Sequence, residues 1–313
     1  MKASAVAKLI KWQLPMKRVL YALTPIMAAS VYFYGWRALV MLAVVNAAGF
    51  AAEYAFARSW KEPVSSAVFV TSCLFALSLP PTLPFWMAVL GVVFGITFGK
   101  MVFGGFGKNV FNPALTGRAF IYVCFGDYMT ARWSPALPGP LGGLVRYAAT
   151  PDAITGATPG MLLKTGQEFS LLELFLGNIS GTLGGTSALL VILGGLYLIH
   201  TKAANHRIVV SAVIGYASMQ ALLWSGGVEG AADPLRGMLA GSFMIGAFFY
   251  ATDPVSAPKT NEARWMYGAF IGIMSSLIST FSAWPAGTMF SILLANMFAP
   301  ITDHFVRALK VRK

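Results

Sequence analysis

The sequence predicts an all-α, polytopic membrane protein of about ten transmembrane helices in two inverted five-helix repeats. Three observations predict it. Of the 313 residues, 57% are hydrophobic and 11% charged, whereas a soluble domain carries about 25% charged residues. Apolar segments long enough to cross about 30 Å of hydrocarbon recur along the chain. The two halves also punctuate their third apolar segment alike, with Ser78-Leu79-Pro80-Pro81 in one and Ala251-Thr252-Asp253-Pro254 in the other. This composition excludes an ordinary soluble enzyme and a nucleic-acid-binding protein. The net charge of +12 is then a matter of membrane orientation.

The first apolar segment, 19–36, follows Lys2, Lys8, Lys11, Lys17 and Arg18. No small-residue cleavage site comes after it, so it reads as a retained span rather than a secretory signal. Segments 38–57, 65–80, 84–100 and 110–126 complete the first set. Segments 184–200, 207–224, 236–252, 265–282 and 285–303 form the second. The third, fifth and tenth are short or broken by Gly, Pro and Asn.

With the N-terminus inside, seventeen Lys and Arg fall on cytoplasmic segments and six elsewhere, a positive-inside bias. Both termini are then cytoplasmic. The chain divides into a first membrane repeat at 1–126, an extracytoplasmic loop at 127–183 and a second repeat at 184–313. In each half a Trp-Met pair (Trp86-Met87, Trp265-Met266) opens the next span. Five spans per half invert the second copy, and inverted repeats with broken helices put binding sites near the midplane.

Little of the chain suggests metal chemistry. Cys73 and Cys124 both lie in apolar runs and read as small buried hydrophobes. His200, His206 and His304 sit at the ends of apolar runs without metal-ligand spacing. No metal site is expected.

Three stretches could carry other chemistry. In Asp152-Ala153-Ile154-Thr155-Gly156-Ala157-Thr158-Pro159, Thr158 is either the N-cap of a helix with Pro at its first position or an exposed hydroxyl where backbone can approach a phosphate. The stretch 103–118 holds Gly104, Gly105 and Gly107, then Lys108, Asn109, Asn112 and Arg118. Its glycines allow close backbone approach, and two Asn three apart share a face if helical. Their amides can read a heterocycle edge. The alternative is a re-entrant turn with Asn caps and a snorkelling Lys108. Arg118, inside a span, needs an anion, a carbonyl or a polar cavity. The third stretch centres on Asp253, which could cap a helix or serve an ion path. Glu53 and Asp303 are the other acids near the membrane, placed toward span ends where capped or solvated roles are ordinary.

Together these stretches resemble the RnfD/NqrB subunits of bacterial ion-translocating redox complexes. The resemblance is carried by Thr155-Gly156-Ala157-Thr158, by Gly-Gly-Phe-Gly-Lys-Asn…Asn-Pro-Ala-Leu…Gly-Arg-Ala-Phe at 104–120, by Thr252-Asp253-Pro254-Val255-Ser256, and by Tyr21-Ala22-Leu23-Thr24-Pro25 with Tyr34-Gly35 in the first span. It implies FMN joined through a phosphoester to the Thr158 hydroxyl by a dedicated flavin transferase, with Gly156 and Ala157 leaving room for the phosphate. It also implies a second flavin, riboflavin, held without a covalent bond near Asn109 and Asn112.

The short lead before the first span and Pro159 after Thr158 are similar to RnfD. The reading is therefore a multi-pass inner-membrane flavoprotein subunit of an Rnf-type ferredoxin:NAD⁺ oxidoreductase, coupled to Na⁺ or H⁺ movement. It would work only with the other membrane and peripheral subunits. NAD and ferredoxin would bind those, since this chain has no nucleotide fingerprint or iron–sulfur ligand set. Gly104-Gly105 and Gly117-Arg118-Ala119-Phe120 are more similar to NqrB of the Na⁺-pumping NADH:quinone oxidoreductase, the alternative reading and the one that brings in a quinone. A cofactor-free small-solute channel or transporter is the alternative from another class.

Overall fold

The computed structural model describes residues 9–137, 139–148, 157–282 and 287–311. Helices occupy all ten apolar segments, and the one sheet among the described residues is a two-residue parallel pairing of Ile10–Lys11 with Val64–Ser65. In chain order the first half contains α1 (Leu14–Tyr34), α2 (Trp36–Trp60), α3 (Ala67–Leu77), α4 (Phe85–Ile96, extended by a π-helical turn at Thr97–Met101) and α5 (Pro113–Cys124). Three short helices follow: α6 (Gly126–Thr130), α7 (Pro159–Lys164) and α8 (Leu171–Leu176). The second half contains α9 (Ala188–His200), α10 (His206–Ser225), α11 (Pro234–Leu239), α12 (Phe243–Ile245, continued by a π-helical turn at Gly246–Tyr250), α13 (Asn261–Phe281) and α14 (Gly287–Val311). Among the described residues, α2, α10 and α14 are long and apolar enough to cross a membrane.

Local sequence explains several boundaries that differ from the expected spans. Helix α5 starts at Pro113 rather than 110 because Asn112 caps it, its Oδ1 accepting from the Ala114 and Leu115 amides. Pro at the first helical position costs no hydrogen bond. The segment expected at 236–252 is broken near Gly241 into α11 and α12. Helix α14 runs through Pro300 to Val311, well past the expected end at 303. The loop at 127–183 carries α7, the helix that Thr158-Pro159 could start, and also α8 and most of α6, which the sequence reading does not foresee. Cys73 is buried as expected, but Cys124 is exposed on the outside of α5.

Packing relies on missing side chains. Gly91, Gly95 and Gly99 recur every fourth residue on α4 and its π-helical extension and lie against α5. A Cβ on Gly95 would meet the Pro113 carbonyl oxygen at 2.4 Å, and one on Gly117 would meet the Gly91 carbonyl oxygen at 2.4 Å. In the second half, Gly268 and Gly272 on α13 lie similarly against α10, with the Ala212 carbonyl 2.1 Å from a Cβ on Gly272. Close backbone approach through small residues drives helix association where lipid offers no hydrophobic gain. The core runs through Met41, Phe75, Leu77, Ile96, Ile121, Ala247, Ile271 and Ile292, all nearly inaccessible.

The short helices of the two halves meet in the middle. The Tyr250 hydroxyl donates to the Leu74 carbonyl at 2.7 Å, joining the end of the α12 segment to α3. Asn112 and Asn296, from the last segment of each half, are joined by the Asn112 amide donating to Asn296 Oδ1 at 3.1 Å. The connecting loops make contacts at the two ends of the bundle. At the end that charge counting assigns outward, called outer below, the Trp36 amide donates to the Arg146 carbonyl and Lys164 Nζ to the Ser282 carbonyl. At the inner end, Arg18 donates to the Thr201 carbonyl, and Asp303 accepts from the Lys259 and Thr260 amides.

Candidate functional site

Two cavities divide the sequence-predicted site residues between them. The outer cavity encloses about 970 Å³, its open mouth included, and is lined by Thr158, Lys164, Arg118, Tyr216 and Gln220 among others. The inner cavity, about 680 Å³ with its open mouth included, is lined by Lys100, Asn109, Asn112, Thr252 and Asp253 together with Phe106, Leu74 and Phe249.

Thr158 is the N-cap residue of α7 in extended conformation, followed by Pro159. Its side chain makes no capping hydrogen bond, so the hydroxyl is not spent on the helix. Ala157 sits beside it, its carbonyl accepting from Ser180 at 3.4 Å. Thr155 and Gly156 lie outside the described residues.

The walls of this cavity are rich in hydroxyls, with Ser180, Thr182, Thr186, Ser242, Thr280 and Thr288 among them. No Asp or Glu is among its described lining residues. Its two cations are Lys164, whose amine pKa is lowered by partial burial, and Arg118. Arg118 is only 6% exposed, and its Nε is buried without a hydrogen-bond partner. A buried cation facing hydroxyls and no carboxylate is a group built to meet an anion. The phosphate and the carbonyl and ring-nitrogen acceptors of a flavin nucleotide fit this donor set.

The sequence groups Arg118 with the glycine and asparagine block, yet the fold separates them. From Pro113 onward, α5 carries it outward to the Thr158 cavity, while Asn109 and Asn112 remain at the inner one. The two Asn are not on one helix face. They sit in a non-helical approach to α5 and line the inner cavity together. Asn112 is largely used by the protein itself, capping α5 and donating to the Tyr250 carbonyl at 3.2 Å. Asn109 donates to the Phe111 carbonyl at 3.0 Å and reaches Asp253. Asp253 accepts from the Val255 amide at 3.1 Å and the Ser256 hydroxyl at 3.0 Å, a local cap at the cavity edge.

Gly104, Gly105 and Gly107 all have φ between +90° and +101°, so this turn requires glycine. Lys108 folds back over Gly104, where an added Cβ would lie 2.9 Å from its Cδ. Behind the turn is a pair that sequence reasoning leaves apart. Lys100 and Glu53 are joined at 2.6 Å with side chains 2% and 3% exposed, and Glu53 also accepts from the Ser65 amide at 3.1 Å. Glu53 is therefore neither solvated nor a simple cap. The available signal is a lysine at the end of a Gly-rich apolar span, where an unpaired charge is costly. Nothing in the sequence identifies its partner.

The model of the NQR2, RnfD, RnfE family matches residues 3–312. The chain is 40% identical over 275 residues to the B subunit of the Na(+)-translocating NADH-quinone reductase of Ectopseudomonas mendocina, covering 83% of this chain and 64% of that protein. It is 38% identical over 294 residues to the corresponding protein of Neisseria meningitidis serogroup B, covering 91% of this chain and 69% of the relative. The Pseudomonas aeruginosa protein of that name is 38% identical over 270 residues, with 83% and 64% covered. The chain thus spans about two thirds of the length of these relatives. Their names favour the quinone-reductase branch over the Rnf branch expected from the sequence. The chain belongs to the NQR2, RnfD, RnfE family.

Proposed function

We propose that this chain is a membrane flavoprotein subunit of an ion-translocating NADH:quinone oxidoreductase, relaying electrons between carriers held by neighbouring subunits. Its similarity to the B subunits of Na⁺-translocating NADH-quinone reductases supports that branch. The Rnf-type ferredoxin:NAD⁺ assembly is the second reading, since the family includes both. The ten helical segments, paired glycine contacts and central meeting of α3 with the α12 segment support ten spans in two inverted repeats, and the Lys/Arg bias supports both termini on the inner side of a bacterial plasma membrane. The loop at 127–183 then belongs to the outer side.

The single observation that carries the flavin reading is the outer cavity: an uncommitted Thr158 hydroxyl at its wall and a buried Arg118 with an orphaned Nε, with no Asp or Glu among its described lining residues. FMN would be held there through a phosphoester to Thr158, attached by a flavin transferase, with Arg118 and Lys164 balancing its negative charge. Such a flavin supplies the redox chemistry, while the protein supplies position and electrostatics. A second, phosphate-free flavin suits the inner cavity. It would rest on the Gly104–Gly107 turn, Asn109 and Lys100, with Asn112 holding the wall.

Denaturing gels of the full chain co-expressed with a flavin transferase test the reading. Wild type and Thr158→Ser should fluoresce as covalent flavoproteins, and Thr158→Ala should not. A colourless wild type would overturn the flavin relay and favour the cofactor-free channel.

A further inference from the structure

We propose that a third cavity, at the inner end between the α9–α10 connection and the segment following Tyr250, binds the phosphate headgroup of an anionic membrane lipid. It spans about 880 Å³, its open mouth included, and is lined by Lys202, His206, Arg207 and Arg264, with Asn205 and Thr252. No Asp or Glu is among its described lining residues.

Among the described residues none of its cations is in a direct ion pair, although the Glu262 carboxylate lies near enough to Arg207 to feel its charge. The three ion pairs among the described residues involve none of Lys202, Arg207 or Arg264. Arg264 donates to the Pro258 carbonyl at 3.0 Å and to Asn261 Oδ1, which positions its guanidinium without cancelling its charge. The backbone adds to the field. The 20-residue helix α10 begins at His206 on the cavity wall, with Asn205 capping the Arg207 amide at 3.0 Å. The positive end of its dipole therefore favours an anion at the same place.

The occupant follows from what adjoins the cavity. About one turn from it on α9 lie Leu196 and Tyr197, with Leu193 beyond; on α10 lie Val210 and Ile214, and all five are exposed. Exposed apolar side chains on both helices that flank a cationic cavity suit a molecule with an anionic head and hydrocarbon tails. A free phosphate or nucleotide would use the head site and leave these side chains uncovered. Basic pockets between helices on the inner side are a physical match for such headgroups. The expected ligand is a phosphatidylglycerol- or cardiolipin-type lipid.

Native mass spectrometry of the full-length protein tests this after exchange into detergent containing phosphatidylglycerol, cardiolipin or phosphatidylcholine. Retention of the two anionic lipids over phosphatidylcholine is expected in wild type. The triple variant Lys202→Gln, Arg207→Gln, Arg264→Gln should bind them about a hundredfold more weakly. A Lys202→Arg, Arg207→Lys, Arg264→Lys variant should retain them, which separates lost charge from lost folding. Equal retention in wild type and the triple Gln variant would overturn the proposal. So would displacement of the lipid by millimolar inorganic phosphate, which would make this a soluble-anion site. Crosslinking of Lys202 to a co-purified protein with no lipid retained would assign the cavity to a protein partner and equally refute it.

Discussion

Breaking the Lys100–Glu53 pair should destabilise the protein far more than deleting it. The two groups are 2.6 Å apart and all but inaccessible, so neither can recover hydration if its partner is removed. Removing one partner of a buried ion pair costs about 3–5 kcal/mol, whereas replacing both by apolar groups is often neutral. Glu53→Gln strands the Lys100 ammonium and keeps an acceptor for the Ser65 amide. Lys100→Met strands the carboxylate, partly compensated by that same amide at 3.1 Å. Each single variant should therefore lose about 3–5 kcal/mol, with Lys100→Met at the lower end. The double variant Glu53→Gln, Lys100→Met should lose clearly less than the sum, leaving a coupling of about 3 kcal/mol. For a chain of this size each kcal/mol shifts Tm by about 2 °C, so the single variants should melt about 6–10 °C lower. Thermal melts of the four proteins in one detergent complete the cycle. Additive losses, with coupling below about 0.5 kcal/mol, would refute the claim that this pair ties α2 to the turn after α4.

Other consequences are equally open to measurement. Arg118→Gln removes the only deeply buried cation among the described residues of the outer cavity. Covalent flavin loading, read as in-gel fluorescence, should then fall at least about tenfold, as suits a charge-assisted contact; Arg118→Lys should retain most of it. Gly95→Ala drives a methyl to 2.4 Å from the Pro113 carbonyl, so a loss of about 1–3 kcal/mol is expected, read as a lower thermal midpoint. Glu262 accepts a hydrogen bond from Lys310, which holds its carboxyl below the usual range. The tie between the start of α13 and the end of α14 should therefore be present at neutral pH and lost as pH falls through that depressed pKa. A lower protection factor for amides near 305–311 in acid, relative to their intrinsic exchange rate at that pH, should report it, with little change in global melting because the pair is exposed.

The membrane helices are legible in the sequence because each requirement is local. Apolar length, Lys/Arg bias and glycine spacing are properties of single segments, and they mark α1, α2, α10 and α13 to within a few residues at most boundaries. Asn112-Pro113 is a readable helix start, since the cap and the proline are adjacent in sequence. The partnerships are not legible. Glu53 and Lys100 are 47 positions apart, and only the packing of α2 against α4 brings them together. Arg118 and Thr158 likewise share a cavity through the placement of α5 beside α7. The Asn109–Asn112 spacing suggests a helical face because pattern reasoning extends a helix through polar residues. Three glycines with positive φ have already ended it.

The hydrogen bond from Tyr250 to Leu74 has a consequence for traffic through the molecule. Leu74 lines the inner cavity, and Tyr250 lies near Arg118, which lines the outer one, so this contact is part of the septum between the two chambers. Such a septum is transparent to an electron, which tunnels through packed atoms, and opaque to a hydrated ion, which must displace them. A permanent positive charge beside it raises the barrier to a cation further. With redox centres seated on either side, the wall would act as a sieve between two kinds of current, conducting one at rest and admitting the other only when it parts.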